Sequence, residues 1–507
     1  MEELPVELKT KIFEFLDTKS LKYAALVSKN WRQIADDSVQ WKKTTISIRD
    51  ETDADKIFMA RSRRIENVNV KECEEESLNL ILASVAGLPN LKQILGLADK
   101  YLMDVDENVL SEIVQKVEKG DFFNNTIITP DQADVIIEKL KEKFMIDLVV
   151  KNQDLTSVDA SSLCKALNNV TALWLSDYPR VNTLTNMQLQ SFFLTMANST
   201  SVKELLLHDI DISQIAPHTL AYALSNVEEF VIWGTNKSSE KYDLSRSQIR
   251  ALLLVLSKNE STLTRMLLPN TEMIHVELII LAEGLASLSE VNLYQDMISG
   301  IQASALFHVL SSKTTLKALR IFNIDLSNVD PSNMAKSLRY VQELKLVNCH
   351  LTRDQVTEIF RVLCEGNTVK VLYIGGSDLS ILDPELLANL ATKLESITFR
   401  DNELTTDHLI FIMRNCAEAE SKLGKLRIVD TRLDDVQGEL LARGIANIQE
   451  VELESCSLRV VQVEKILAYL SHEEAKTIEL LIVNDDLDIT QNILEDAMEL
   501  FHVNLNI

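Results

Sequence analysis

The chain has 507 residues, 25% of them charged and 46% hydrophobic, a balance that excludes wholesale disorder. Aspartate and glutamate outnumber lysine and arginine 76 to 51, and the formal net charge of −25 argues against a broad phosphate-binding surface, so no nucleic-acid partner is expected. Only 12 glycines are present, which disfavours Gly-rich phosphate loops, nucleophile elbows and dinucleotide folds, all of which need close backbone approach or tight turns.

The opening MEELPVELKT is acidic and has no apolar signal core. The longest apolar run, around Ala251 to Leu256, is far too short to span a bilayer. A cytoplasmic or nuclear protein with no membrane partner is the expectation. The six cysteines, Cys73, Cys164, Cys349, Cys364, Cys416 and Cys456, are scattered with no C-x-x-C pair, so they read as free thiols.

Residues 1–43 predict three short helices. Pro5 suits a first helical position, where its missing N–H is not needed. Leu4, Leu8, Ile12, Phe15 and Leu16 form one apolar stripe, and Val6 and Phe13 form a second one well round from it. A second helix from Ser20 carries Leu21, Ala24, Ala25 and Val27; a third holds Trp31 and Ile34, and Trp41 closes the segment. Some 40 residues make a marginal core on their own, so the spare apolar surface implies a partner.

The run LPVELKTKIFEFLDTKSLKYAALVSKNWRQIADDSVQW resembles an F-box, with Leu4-Pro5, Glu7, the Ile12-Phe13 and Leu16 spacing, Leu21, Val27, Trp31 and Trp41 in order. Ser28 stands where that family often has cysteine. The resemblance implies docking onto a Skp-type adaptor and, through it, a cullin of a ubiquitin ligase. Leu4, Pro5, Leu8, Ile12, Leu16, Leu21 and Val27 are the implied adaptor contacts. A helical cap on the following domain is the bland alternative. Residues 44–64, with Arg61, Arg63 and Arg64, read as a linker.

From about residue 65 a pattern apolar-x-x-apolar-x-apolar recurs, as in VKELLL from Val202, VEEFVI from Val227, VQELKL from Val341 and IQEVEL from Ile448. From Val202 onward, spacings of 25 alternate strictly with longer ones of 28, 29 or 36. Less tidy units begin near Ile65, Leu91, Glu118, Met145 and Val170, and a last one near Ala475; the unit at Glu118, with strand GDFF, is the least regular. Each unit predicts a short strand, a turn and a helix such as Asp354 to Leu363.

This array resembles the leucine-rich-repeat family, with the two-type alternation of ribonuclease-inhibitor-like proteins. The implied fold class is an α/β solenoid, a horseshoe with parallel strands on its concave face and helices outside. The expected organisation is F-box 1–43, linker 44–64, about 16 repeat units over 65–490 and a C-terminal cap over 491–507. Cys73, Cys349 and Cys456 fall where that family places Asn or Cys against neighbouring backbone, and Asn402 holds the position in its own unit, so a structural role is expected for them.

Alternate strand residues face outward. Over fifteen strands, nine outward acids and eight outward bases leave that face near neutral, and the F-box carries +1. The net charge therefore sits on helices, loops and tail. The outward positions also collect Trp174, Trp233, Tyr294, Phe322 and Tyr373. Extra residues around Asp177 to Thr183 and Gly234 to Asp243 follow directly after the two tryptophans. A partner site around Trp174, Leu206, His208, Trp233, Leu267, Tyr294 and Phe322 is expected, because exposed aromatics mark interaction surfaces. The alternative is that the inserted loops fold back over the tryptophans. A second lane, Arg320, Arg400, Lys425 and Arg427, would suit an acidic or phosphorylated segment, or else is solvated charge.

No P-loop, H-E-x-x-H, G-x-S-x-G or kinase signature occurs. No catalytic residue, metal or cofactor is expected. The two resemblances together imply a substrate-recognition subunit of a Skp–cullin–F-box ubiquitin ligase. It would bind an adaptor at one end and an unidentified target on the repeats. The alternative from another class is a non-catalytic inhibitor or scaffold with a vestigial F-box.

Overall fold

In the computed structural model, residues 5–13, 16, 18–36, 45–49, 65–120, 122–177, 183–198, 200–234, 244–258, 261–268, 271–295, 297–366, 368–418, 421–472, 479–483 and 502–506 are described. The chain divides into two units, Met1–Leu252 with Ser261–Leu263, and Leu253–Glu260 with Thr264–Ile507.

The first unit opens with helices α1 (Val6–Phe13), α2 (Thr18–Ala24) and α3 (Lys29–Asp36). Their shared core is small: Phe13, Leu21, Ala24, Ala25, Ile34 and Ala35. Phe13 meets Trp31 edge to face, with ring centroids 5.3 Å apart. Such a pair adds about 0.5–1.5 kcal/mol beyond its buried area, a large share for so few residues. The second expected stripe on α1 divides, because Phe13 turns inward while Val6 stays exposed along with Leu8 and Ile12 of the first.

Strands β1 (Thr45–Ser47), β2 (Asn67–Asn69), β3 (Gln93–Leu95), β4 (Lys119–Gly120), β5 (Phe123–Asn124), β6 (Met145–Lys151), β7 (Val170–Ser176), β8 (Glu204–His208) and β9 (Glu229–Trp233) follow. Every pairing among them is parallel, as strand–helix–strand crossovers require. Period-2 alternation puts Leu148, Leu173, Leu205 and Phe230 in one buried register column, and Val150, Leu175, Leu207 and Ile232 in another. Neither column is covered by its own strand, so each is completed by the helices of successive units, such as Ala160–Asn168 and Pro217–Ser225.

The second unit continues the same grammar in β10 (Arg265–Leu267), β11 (Glu290–Leu293), β12 (Ala318–Phe322), β13 (Glu343–Val347), β14 (Val371–Gly375), β15 (Ser396–Arg400), β16 (Lys425–Val429), β17 (Glu450–Glu454), β18 (Glu479–Val483) and β19 (His502–Asn506). Its inward columns are Leu319, Leu344, Leu372, Ile397, Leu426, Val451 and Leu480, then Ile321, Leu346, Ile374, Phe399, Ile428, Leu453 and Ile482. Each unit is thus an α/β repeat of parallel strands and helices, consistent with a solenoid.

The turn out of each strand explains how the fold manages with so little glycine. Asn323, Asn348, Asp401, Asp430 and Ser455 follow β12, β13, β15, β16 and β17, and all sit at φ near +50°. Asn152 and Asp209 do the same after β6 and β8. Short polar side chains that bond locally tolerate this left-handed backbone, so Asn and Asp replace the usual glycine. The next residue turns inward. Cys349 Sγ lies 3.4 Å from the Ile321 carbonyl, Cys456 Sγ 3.1 Å from that of Ile428, and Asn402 Nδ2 donates to that of Ile374 at 2.8 Å. Cys73 Sγ donates to the Ile48 carbonyl at 2.8 Å.

Strict alternation of unit length has a structural counterpart that the apolar pattern does not show. In every second unit a Ser or Thr caps the helix, and the residue three further on is a buried Gln: Gln132, Gln188, Gln248, Gln302 and Gln355. Each Gln Oε1 accepts from the cap backbone N–H, while its Nε2 donates to carbonyls in the preceding unit. His408 takes the place in one unit and Gln462 in another.

Three expectations need adjustment. β1 lies inside the expected linker 44–64, because Thr45–Ser47 joins the ladder beside Asn67–Asn69. β19 lies inside the expected cap 491–507, because the alternation of Val503 and Leu505 suits one more strand paired with β18. The irregular unit at Glu118 is a divided strand: β4 pairs with β3 and β6, while β5 pairs with β6 two turns of the pleat later, with Phe122 and Phe123 fully buried.

Candidate functional site

Two surfaces stand out. On the amino-terminal helices, Val6, Leu8, Ile12, Tyr23, Leu26 and Val27 are all exposed, Leu26 by 73% and Val27 by 59%. Leu8 and Ile12 are four apart on α1 and therefore share a face. This much apolar side chain left in water by so short a segment is the signature of an interface. Of the implied contacts, Pro5, Leu8, Ile12 and Val27 are exposed and Leu16 is half-buried, while Leu4 lies outside the described residues. Leu21 differs: it has no exposed surface and belongs to the small core of the three helices. Trp41 and the Arg61–Arg64 cluster lie outside the described residues.

The expected partner site resolves into two clusters, one in each unit. In the first, register puts Trp174 beside Leu206 and His208 beside Trp233. The two indoles lie 6.1 Å apart with a 57° tilt, and His208 stacks on Trp233 at 5.1 Å. Trp174 is 36% exposed, while Leu206, His208 and Trp233 are half-buried. His208 Nδ1 is 3.2 Å from Ser176 Oγ, and its Nε2 is 3.7 Å from the Asp209 carboxylate. Burial lowers its pKa; Asp209 opposes the shift and Lys151 adds to it. The residues between the tryptophans and the next helices, 178–182 and 235–243, lie outside the described residues.

In the second unit, Tyr294 and Phe322 stack nearly parallel at 5.3 Å, held by the register that pairs Leu293 with Ile321. Leu267 is half-buried at the end of β10. The basic lane is a ladder of ion pairs. Arg320 holds Glu343 through both nitrogens of its fork, at 2.8 and 2.5 Å, and reaches Glu290 and Asn292 at 3.1 Å. Lys425 pairs with Glu450 at 2.6 Å, and Arg427 with Glu452 and Glu454 at 3.1 and 2.8 Å. Glu343 is pulled down to about 2, first by Arg320 and then, against burial, by Lys345. Arg400 is raised, chiefly by its hydrogen bond to Tyr373. Neighbouring strands therefore neutralise most of this lane internally, which the count of outward charges did not separate from free charge. The buried Gln clamps were also missed, although the [ST]-x-x-Q capping signature marks five of them.

Among the described residues no group of His, Cys, Asp and Glu is arranged to hold a metal ion, and no helix is long and apolar enough to cross a membrane.

Residues 1–47 match the family described as F-box-like. This segment is similar to the F-box/WD repeat-containing protein pof1 of Schizosaccharomyces pombe, 52% identical over 40 residues, which are 8% of this chain and 7% of that protein. It is also similar to the probable E3 ubiquitin ligase complex SCF subunit sconB of Arthroderma otae, 55% identical over 40 residues, 8% of this chain and 6% of that protein. The chain thus matches less than a tenth of the length of either relative. Its amino terminus is an F-box-like module, and every strand of the ladder after β1 lies beyond the matched segment.

Proposed function

We propose that the chain is the substrate-recognition subunit of a Skp–cullin–F-box ubiquitin ligase, acting in the cytoplasm or nucleus. The exposed apolar side chains of Leu8, Ile12, Leu26 and Val27 on an F-box-like module carry this reading. They take a Skp-type adaptor, which links the chain to a cullin. The repeats are of the leucine-rich type, with the inward apolar columns and the Cys/Asn ladder in support. Their outward strand residues hold the target. The chain supplies proximity: a target held on the repeats meets a conjugating enzyme at high effective concentration, with no bond made or broken by this polypeptide.

The test is co-purification of the full chain with a Skp-type adaptor and a cullin. Leu8→Asp with Ile12→Asp alters exposed positions, so folding is preserved and adaptor capture should be lost. Phe13→Ala removes the aromatic centre of the small core and should lose capture by unfolding the module, seen as new protease cleavage before residue 45. Wild-type chain that captures no adaptor would overturn the ligase reading and leave an inhibitor or scaffold.

A further inference from the structure

The target face of the first unit is not electrically neutral in detail, whatever the chain's total charge. Glu204 and Glu229 are register partners, so two carboxylates stand side by side on adjacent strands. Like charges directly opposite disfavour a sheet unless something compensates them, and Glu229 has a partner of its own. Glu204 is exposed and forms no hydrogen bond or ion pair among the described residues. Its chain neighbour Lys203 is committed elsewhere, to Glu228 at 3.0 Å. Two residues along the same face from the Glu204 register partner Ala172 stands Trp174, with Leu206 beside it. One further step along the strands, Lys151 stands in register with Ser176.

From this the geometry points to a target segment that presents a lysine or arginine followed by an apolar side chain. This deepens the proposed target site and rests on that reading. The cation seats between the Glu204 carboxylate and the indole of Trp174, which is 36% exposed, where charge attraction and the ring quadrupole act together. The apolar neighbour covers Leu206 and the tilted Trp174–Trp233 pair. Lys151 repels a cation at the far end, so the basic residue points toward the strand starts and only one orientation of the segment fits.

The experiment pans a random twelve-residue phage-displayed library on the full chain, with counter-selection on Trp174→Ala, and measures affinities of the recovered peptides. Peptides lost on Trp174→Ala should be enriched in Lys or Arg next to Leu, Ile, Phe or Met. Their binding should weaken about tenfold on Glu204→Gln, a near-isosteric change at an exposed position. It should also fall steeply with added salt. A Trp174-dependent set that is acidic or uncharged, or that binds Glu204→Gln as tightly as wild type, overturns the inference and leaves the target face standing. A folded wild-type chain that yields no Trp174-dependent peptide overturns the face as a target site and the inference with it.

Discussion

Gln355 Nε2 donates to the Val329 carbonyl at 2.7 Å, from a side chain with no exposed surface. The same nitrogen reaches Leu326 O at 2.7 Å, and Oε1 accepts from the Thr352 N–H at 2.8 Å. One amide therefore caps its own helix and satisfies the loop of the unit before it. A carbonyl buried without a partner costs about 1–3 kcal/mol, so Gln355→Leu, which fits the space but donates nothing, should destabilise the second unit by about 2–4 kcal/mol. Urea unfolding of the full chain measures it. A loss under about 1 kcal/mol would show that water replaces the amide.

His408 makes the same pattern with different chemistry. Its Nε2 donates to Leu382 O at 3.0 Å, and its Nδ1 accepts from the Thr405 N–H at 3.3 Å. Glutamine offers an NH₂ donor and a carbonyl acceptor at similar reach. His408→Gln should therefore leave the unfolding midpoint nearly unchanged, while His408→Leu should lower it as Gln355→Leu does. Equal loss in both variants would show that ring packing, not hydrogen bonding, matters at this site.

These clamps show where sequence reading reaches and where it stops. The apolar alternation in segments such as VQELKL fixes strand position because only one register buries both Leu344 and Leu346. Helices follow for the same reason, and the turn chemistry of Asn348 and Asp401 is readable once the strand end is placed. The burial of Leu21 is not legible, because a family pattern marks apolar positions without saying whether the side chain faces the module's own core or a partner. The pairing within the basic lane is not legible in any one strand, because charge there is settled by the strand beside it: Arg320 and Glu343 are far apart in sequence but adjacent in the sheet. β1 escaped because three residues carry too little periodicity to announce themselves.

Arg320 and Glu343 also predict an acid dependence. Glu343 has a folded pKa of about 2 against an ordinary 4.5, so it binds fewer protons folded than unfolded. Its contribution is then complete above about pH 4.5 and is lost as pH falls toward 2. Arg320→Met removes the fork and returns Glu343 toward its usual range. The variant should be less stable by about 1–2 kcal/mol near pH 7, with the difference from wild type shrinking between pH 4.5 and 3. Thermal melts across that window check it; a difference independent of pH would assign the loss to packing of the Arg320 stem.

The thiols give a last test of the ladder. Burial pushes Cys349 up to about 11 and Cys456 to about 12, and both sulfurs lie against backbone carbonyls of the neighbouring strand. The thiolate is the reactive form, so at pH 8 these two groups are both shielded and almost wholly protonated. Cys364 is only half-buried, although burial raises it as well. In the native chain an aromatic disulfide reagent should label Cys364 well before Cys349 or Cys456, and Cys364→Ser should remove that early phase. Labelling of Cys349 and Cys456 should wait for unfolding and accelerate with urea in step with the loss of helical signal. An early phase that survives Cys364→Ser and disappears on Cys349→Ala would mean that the ladder opens locally around β12 and β13 while the rest of the unit stays folded.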